Sequence, residues 1–276
     1  MADALRIISA AEVSLEQLAA AFTAAFAGYV YPMTLTVEQL SRRVRFEHLD
    51  IQRSLLAWDV DELVGMALLG LRGDAAWVGG FGITQMYRGR GLSHELMRAL
   101  IIEARSFGAT RLSLEVLRPN TAAIRLYERA GMHISRDLII SERTTDAAAN
   151  ARVQPLKEAP PSELLGHFHR LHLQSAAWQR DLASLLAMNG LRGLYLGERD
   201  NPQAYALLRD WPDGATYLVD LAALESAHVE ALCVGLDHVP GRLRINNEPD
   251  NSIFNAPLVA HGFRETERQH EMVMAL

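Results

Sequence analysis

Residues 77–97 read WVGGFGITQMYRGRGLSHELM. The stretch opens as an apolar run carrying Gly79, Gly80 and Gly82, and it closes as the start of an amphipathic pattern. Between them, Arg88, Gly89, Arg90 and Gly91 sit where a strand hands over to a helix. Glycine inside a strand marks a bulge or a close approach to the backbone. Glycine just before a helix leaves the unpaired N–H groups of the first turn open to an anion. Arg88 and Arg90 add charge of the sign that phosphate oxygens bind. The turn lacks the third glycine of a dinucleotide fingerprint, and no Gly-Lys-Ser/Thr follows for a P-loop. Taken alone it also reads as an ordinary glycine-rich turn.

Around this stretch the periodicity alternates. LRIISA predicts a strand, SLEQLAAAFTAAF a helix with Ser14 as N-cap, and TVEQLSRRVRFEHL a second helix. Two strands follow around the acidic turn Asp59–Glu62. SHELMRALIIEARSFG is a periodic helix closed by Gly108, and RLSLEVL alternates as a half-buried strand. NTAAIRLYERAG is a helix with Asn120 at its cap and Gly131 at its end, and MHISRDLIIS is a last strand. This order predicts a mixed α/β fold. SERTTDAAANARVQPLKEAPPSE then breaks the pattern, which predicts a linker near residues 143–151.

Beyond the linker the sequence repeats itself. RLSLEVLRPNTAAIRLYERAGM (residues 111–132) and RLRINNEPDNSIFNAPLVAHGF (residues 242–263) align without a gap at an offset of 131. Arg111 meets Arg242, Asn120 meets Asn251 and Gly131 meets Gly262. The expected organisation is therefore a duplication, with domains at residues 1–145 and 152–276. The second copy is shorter ahead of Arg242 and has no Gly-x-Gly turn; Leu258 stands where the first copy has Tyr127.

Composition narrows the classes. Hydrophobic residues make up 49 % of 276, enough for two cores, and the single cysteine, Cys233, excludes an internal disulfide. Residues 1–145 balance 16 Arg against 16 acidic residues, while residues 146–276 hold 11 basic and 17 acidic ones. No basic patch points to nucleic acid. The N-terminus lacks the basic start and apolar core of a signal peptide, and LAAAFTAAFAGYVY is too short to span a membrane, so a soluble cytoplasmic protein is expected.

FGITQMYRGRGLSHELM followed by LSLEVLRPNTAAIRLYERAGM resembles the GNAT superfamily of acetyl-CoA-dependent acyltransferases. The family's Arg/Gln-x-x-Gly-x-Gly/Ala signature is met at Arg88, Gly91 and Ser93, where serine replaces the final small residue. Its later signature is met at Asn120, Ala123, Leu126, Tyr127 and Gly131, with Met132 in the aromatic position. The resemblance covers residues 4–142 well and residues 152–276 as a degraded copy. It implies two tandem GNAT-like domains, each a mostly antiparallel sheet flanked by helices. It further implies that the backbone of Arg88, Gly89, Arg90, Gly91, Leu92 and Ser93 cradles the pyrophosphate of acetyl-CoA as co-substrate. Gly82 and Ile83 would pair with the pantetheine arm, with Asn120 and Ala123 also at the cofactor.

In that frame Tyr127 is the general acid and Glu115 the candidate base, with a water chain as the alternative. Tyr127 also reads as a core tyrosine and Glu115 as a rim charge. Tyr29 and Tyr31 lie where the superfamily caps its acceptor pocket, and the acceptor is a small-molecule or peptide amine. HFHRLH offers His167, His169 and His172, which read as a solvated helix rather than a metal site, and no metal is expected. Duplication can stand in for a dimer, so a monomer is expected. The rival class is a non-catalytic acyl-CoA sensor that binds through the turn without turnover.

Overall fold

The computed structural model describes residues 5–29, 33–145, 156–212 and 214–276. They group into two compact units, Met1–Ser135 with Glu271–Leu276, and Arg136–His270. In chain order the first contains β1 (Arg6–Ser9), α1 (Leu15–Ala25), α2 (Val37–Phe46), β2 (Leu55–Asp59), β3 (Glu62–Arg72), β4 (Ala75–Ile83), α3 (Leu92–Phe107), β5 (Arg111–Leu117) and α4 (Thr121–Arg129). After β6 (His133–Thr145) come β7 (Lys157–Ala159), α5 (Pro161–Leu165), α6 (Phe168–Leu171), α7 (Leu182–Ala187), β8 (Arg192–Glu198), β9 (Asn201–Asp210), β10 (Ala215–Ala223), α8 (Ser226–Leu236), β11 (Gly241–Pro249), α9 (Asn255–Ala260) and β12 (Arg264–Ala275).

Local chemistry sets the element ends. Capping boxes start α1 (Ser14 with Gln17) and α2 (Thr36 with Gln39), satisfying N–H groups that the first turn leaves open. Gly108 ends α3 in the left-handed region at φ 95°. In the first unit β1 to β4 run antiparallel, and β5 joins β4 in parallel. β3 is buried over seven successive residues, as a central strand covered on both faces must be.

The second unit repeats the plan. Its sheet runs β6, β11, β10, β9, β8, β7, and β10–β11 is again the parallel pair. The offset read from the sequence holds: α4 and α9 are each followed by a left-handed glycine, Gly131 at φ 98° and Gly262 at φ 85°. The next strands start at His133 and Arg264.

The compact units do not follow the chain order that set the expected domains at 1–145 and 152–276. The last six residues belong to the first unit: Met272 and Met274 sit in its core with Leu112, Leu114, Val116 and Tyr127. The Leu276 N–H donates to Thr110 O at 2.9 Å. Conversely, β6 lies in the second unit from Arg136 onward, paired with β11. Sequence periodicity reports that a strand exists but not which neighbour it pairs with. The expected linker near 143–151 meets the end of β6, and residues 146–155 lie outside the described residues. Among the described residues no helix is long and apolar enough to cross a membrane.

Met272 is fully buried. Met272→Ala is expected to destabilise the protein by about 2–5 kcal/mol, the cost of a buried methionine cavity, read as an earlier urea unfolding transition. An unchanged transition would remove the chain end from the core of the first unit.

Candidate active site

The site is built where two parallel strands part. β4 and β5 are paired over three residues, Ala75 to Trp77 opposite Arg111 to Ser113. Beyond Trp77 the edge of β4 that faces β5 carries no strand pairing among the described residues. On its other edge β4 stays paired with β3, through Gly82 opposite Met66 and Ile83 opposite Gly65. The register slips once, between Leu68–Gly80 and Leu69–Val78, which leaves Gly79 as a bulge. The bulge twists β4 at the point where it leaves β5. Gly82 is required for packing: a Cβ there would lie 3.0 Å from both Ala25 Cβ and Ala25 O at the end of α1.

The unpaired edge runs into the glycine turn. Gly89 and Gly91 have φ 77° and 82°, and a Cβ at either would meet nothing within 4 Å. Gly91 is the N-cap of α3 and no side chain caps the helix, so the N–H groups of Leu92 and Ser93 stay open. The His94 N–H is turned back onto Gly91 O at 3.0 Å. The two arginines behave differently from the expectation that both present charge to phosphate. The Arg88 guanidinium donates to Ile83 O (2.9 Å), Ala25 O (3.1 Å) and Ala27 O (2.7 Å), tying the end of β4 to the end of α1. Its N–H is directed to Gln85 O. Arg90 lies 4.9 Å over the Tyr87 ring. The open backbone is therefore that of residues 89–93.

Tyr127 projects from α4 into the core and is 7 % exposed. Its ring meets Phe81 of β4 edge-on at 6.2 Å. Burial, reinforced by nearby Tyr29, pushes its pKa well above the ordinary phenol value. Asn120 caps α4 by accepting from Ala123 N–H at 3.2 Å, and its Nδ2 lies 3.5 Å from Tyr29 Oη. Tyr127, Tyr29, Asn120 and Ala123 thus form one neighbourhood. Tyr31 lies outside the described residues.

Glu115 stands apart from it. Leu112, Leu114 and Val116 join the cluster that contains Tyr127, and Glu115 alternates to the other face of β5. There it accepts from Trp77 Nε1 at 2.8 Å. Acid and base candidates therefore occupy opposite faces of the sheet. Sequence reading missed Trp77, whose signal is its place beside the glycines of β4.

The second unit treats the same gap differently. β10 and β11 pair over four residues, Ala215 to Leu218 opposite Arg242 to Ile245, and Val219 is skipped in the register with β9, as Gly79 is in β4. The next residue is Gly80 in β4 and Asp220 in β10; Asp220 is fully buried. Arg180 spans the gap, donating to Glu248 and to Asn247 O on β11, with Nη2 3.6 Å from Asp220 Oδ1 on β10. Tyr205 Oη donates to Asp220 Oδ2 at 2.8 Å. His172 Nε2 lies 3.1 Å from Asp220 Oδ1, and its Nδ1 lies 2.9 Å from Phe168 O. Both partners are acceptors, an arrangement that suits the imidazolium form of His172. Burial works against that charge, but the bond and charge of Asp220 outweigh it and the pKa is raised.

Two cations thus face two carboxylates beside a cavity of about 60 Å³. This corrects the reading of HFHRLH as a solvated helix: the His172 side chain is 13 % exposed. The missed signal was Asp220, a lone charge inside the apolar strand YLVDLAA. Only two residues, Leu224 and Glu225, join β10 to α8, where residues 84–91 join β4 to α3.

Residues 17–132 match the model of the acetyltransferase (GNAT) family. Spermine/spermidine N(1)-acetyltransferase of Bacillus subtilis is 33 % identical over 86 residues, covering 28 % of this chain and 57 % of that protein. Mycothiol acetyltransferase of Corynebacterium glutamicum is 30 % identical over 90 residues, covering 32 % of this chain and 31 % of that protein. These matches span little more than half of one relative's length and about a third of the other's. A tandem GNAT protein from the clavulanic acid biosynthesis pathway shares the fold over 99 % of this chain and 98 % of its own, with a TM-score of 0.68 at 16 % identity.

A raised histidine pKa has a definite sign. The stabilisation is complete below the ordinary value of about 6.5 and is lost as pH rises through the higher value in the folded state. The stability deficit of His172→Gln relative to wild type is therefore expected to shrink as urea unfolding is moved from pH 6 to pH 9. A deficit independent of pH would mean that the ring is neutral.

Proposed function

We propose that the first unit is an acetyl-CoA-dependent N-acetyltransferase that moves an acetyl group to a primary amine in a ternary complex. The observation that carries this is the strand gap. β4 leaves β5 after three paired residues, and its free edge leads directly to an uncapped helix N-terminus behind two left-handed glycines. A free strand edge suits the amides of a pantetheine arm, and open N–H groups at a helix start suit a pyrophosphate. The residues present fit acetyl-CoA, which supplies the activated thioester. The cradle consists of the backbone of Gly89, Arg90, Gly91, Leu92 and Ser93, with Gly82 and Ile83 along the arm. Arg88 braces it from behind, and Asn120 and Ala123 fix the start of α4.

Tyr127 holds a proton at Oη. Its raised pKa keeps it neutral across the working pH range, so it acts as a donor. It returns a proton to the thiolate sulfur as the carbon–sulfur bond breaks and the carbon–nitrogen bond forms. The attacking amine loses its proton on the other side of the sheet, where the Trp77 indole orients the Glu115 carboxylate. A water chain can relay that proton. Tyr29 borders the acceptor space, and Tyr31 follows it in the chain. The relatives named for spermine/spermidine and mycothiol favour a small-molecule acceptor, so a monomeric cytoplasmic enzyme with a small amine substrate is the reading adopted. The second unit, with its gap spanned by Arg180, binds no acyl-CoA in this reading.

Calorimetric titration with acetyl-CoA is expected to give one site per chain. Tyr127→Phe is expected to keep that site and to lose roughly 100-fold or more in turnover of a primary amine, the usual weight of a general acid. Absence of binding would overturn the assignment, and two sites would overturn the reading of the second unit. Full turnover in the Tyr127→Phe variant would remove the acid role.

A further inference from the structure

The bulge that parts β4 from β5 has its own clamp. A bulged residue leaves the ladder, and its carbonyl loses the partner that the ladder would supply. Gly79 is that residue, and its carbonyl accepts from Arg43 Nη2 on α2 at 2.6 Å. The guanidinium is itself fixed on two further sides. Its Nε donates to Glu47 Oε2 at 2.9 Å, and its Cζ lies 5.4 Å over the Phe22 ring.

Glu47 is 5 % exposed. Burial pushes its pKa up, and the charge of Arg43 pulls against that shift. A carboxylate this deeply buried costs stability unless it is paired, so the pair costs more to break than a surface bridge. A side chain at the bulge would force its neighbours to move. A Cβ on Gly79 would come within 2.6 Å of Leu49 and of the Trp77 ring. Trp77 in turn holds Glu115. Arg43, Gly79, Trp77 and Glu115 therefore form a continuous line from α2 across β4 to β5.

We propose that Arg43 is a positioning residue for acyl transfer. By holding the Gly79 carbonyl it fixes the angle at which β4 leaves β5, and so the place of the free edge from Gly80 to Ile83. This rests on the acetyl-transfer reading of the first unit. Arg43 touches no reacting atom, and its effect is carried through the backbone. A planar fork meets a carbonyl and a carboxylate at once, which one ammonium does less well.

The test compares wild type with Arg43→Gln, Arg43→Lys and Glu47→Gln. Two readouts are taken: hydrogen exchange of the peptide covering residues 78–83, and calorimetric affinity for acetyl-CoA. In Arg43→Gln, exchange is expected to quicken in that peptide ahead of the rest of the sheet. Acetyl-CoA affinity is expected to fall roughly tenfold, a change of about 1.4 kcal/mol. Arg43→Lys keeps a donor for Gly79 O and is expected to recover most of the affinity, which a mere packing role does not predict. Glu47→Gln leaves the guanidinium present but less firmly held, and a smaller change in the same direction is expected. It carries the test if both Arg43 variants fail to fold. Folded variants with wild-type exchange at residues 78–83 and wild-type affinity overturn the proposal. If wild type itself does not bind acetyl-CoA, the proposed function fails, while the exchange readout still decides whether Arg43 holds the bulge.

Discussion

Everything at the candidate site depends on a parallel strand pair that stops early. A parallel ladder normally continues for as long as both strands do, because each lost pairing leaves N–H and C=O groups without partners. In the first unit the ladder ends after Trp77 and Ser113, and the bulge at Gly79 comes two residues later. The antiparallel register with β3 continues across the bulge, so β4 cannot swing free on that side. The divergence is therefore confined to the β5 side. It opens an edge that carries no strand partner among the described residues and is backed by a rigid central strand.

The second unit spans the same opening with its own side chains. There the bulge sits at Val219 and the following position carries Asp220. Arg180 bridges the two strands, and His172 and Tyr205 satisfy the remaining valences of Asp220. Buried charges are tolerated when paired and hydrogen-bonded, and this cluster is balanced, with two of each sign. In the first unit the matching residues are Gly80 and, in register with Glu248, Leu117. Glycine and leucine bridge nothing. One copy keeps its gap clear beside a glycine turn, and the other staples its gap and has a two-residue connection in place of the turn.

Much of this was legible in the sequence because it is local. Caps at Ser14 and Asn120, stops at Gly108 and Gly131, and the alternation of RLSLEVL all follow from backbone chemistry within a few residues. The duplication was legible because the same local signals recur at a fixed offset. What was not legible is what depends on distant partners. Arg88 reads as a phosphate ligand until the carbonyls of Ala25, Ala27 and Ile83 are seen around its guanidinium. Glu115 reads as a base or a rim charge, and its partner Trp77, 38 residues away, shows only in the fold. His172 reads as solvated until Asp220, 48 residues away, is seen beneath it.

The same limit explains the unit boundaries and has a folding consequence. The core of the first unit is completed by Met272 and Met274, so it cannot be finished before the end of the chain is available. Closing a loop from Thr110 to Leu276 by a free chain carries an entropic cost that grows with the logarithm of its length. Residues 136–270 form a compact unit of their own, so most of that loop is ordered by its own contacts rather than closed as coil.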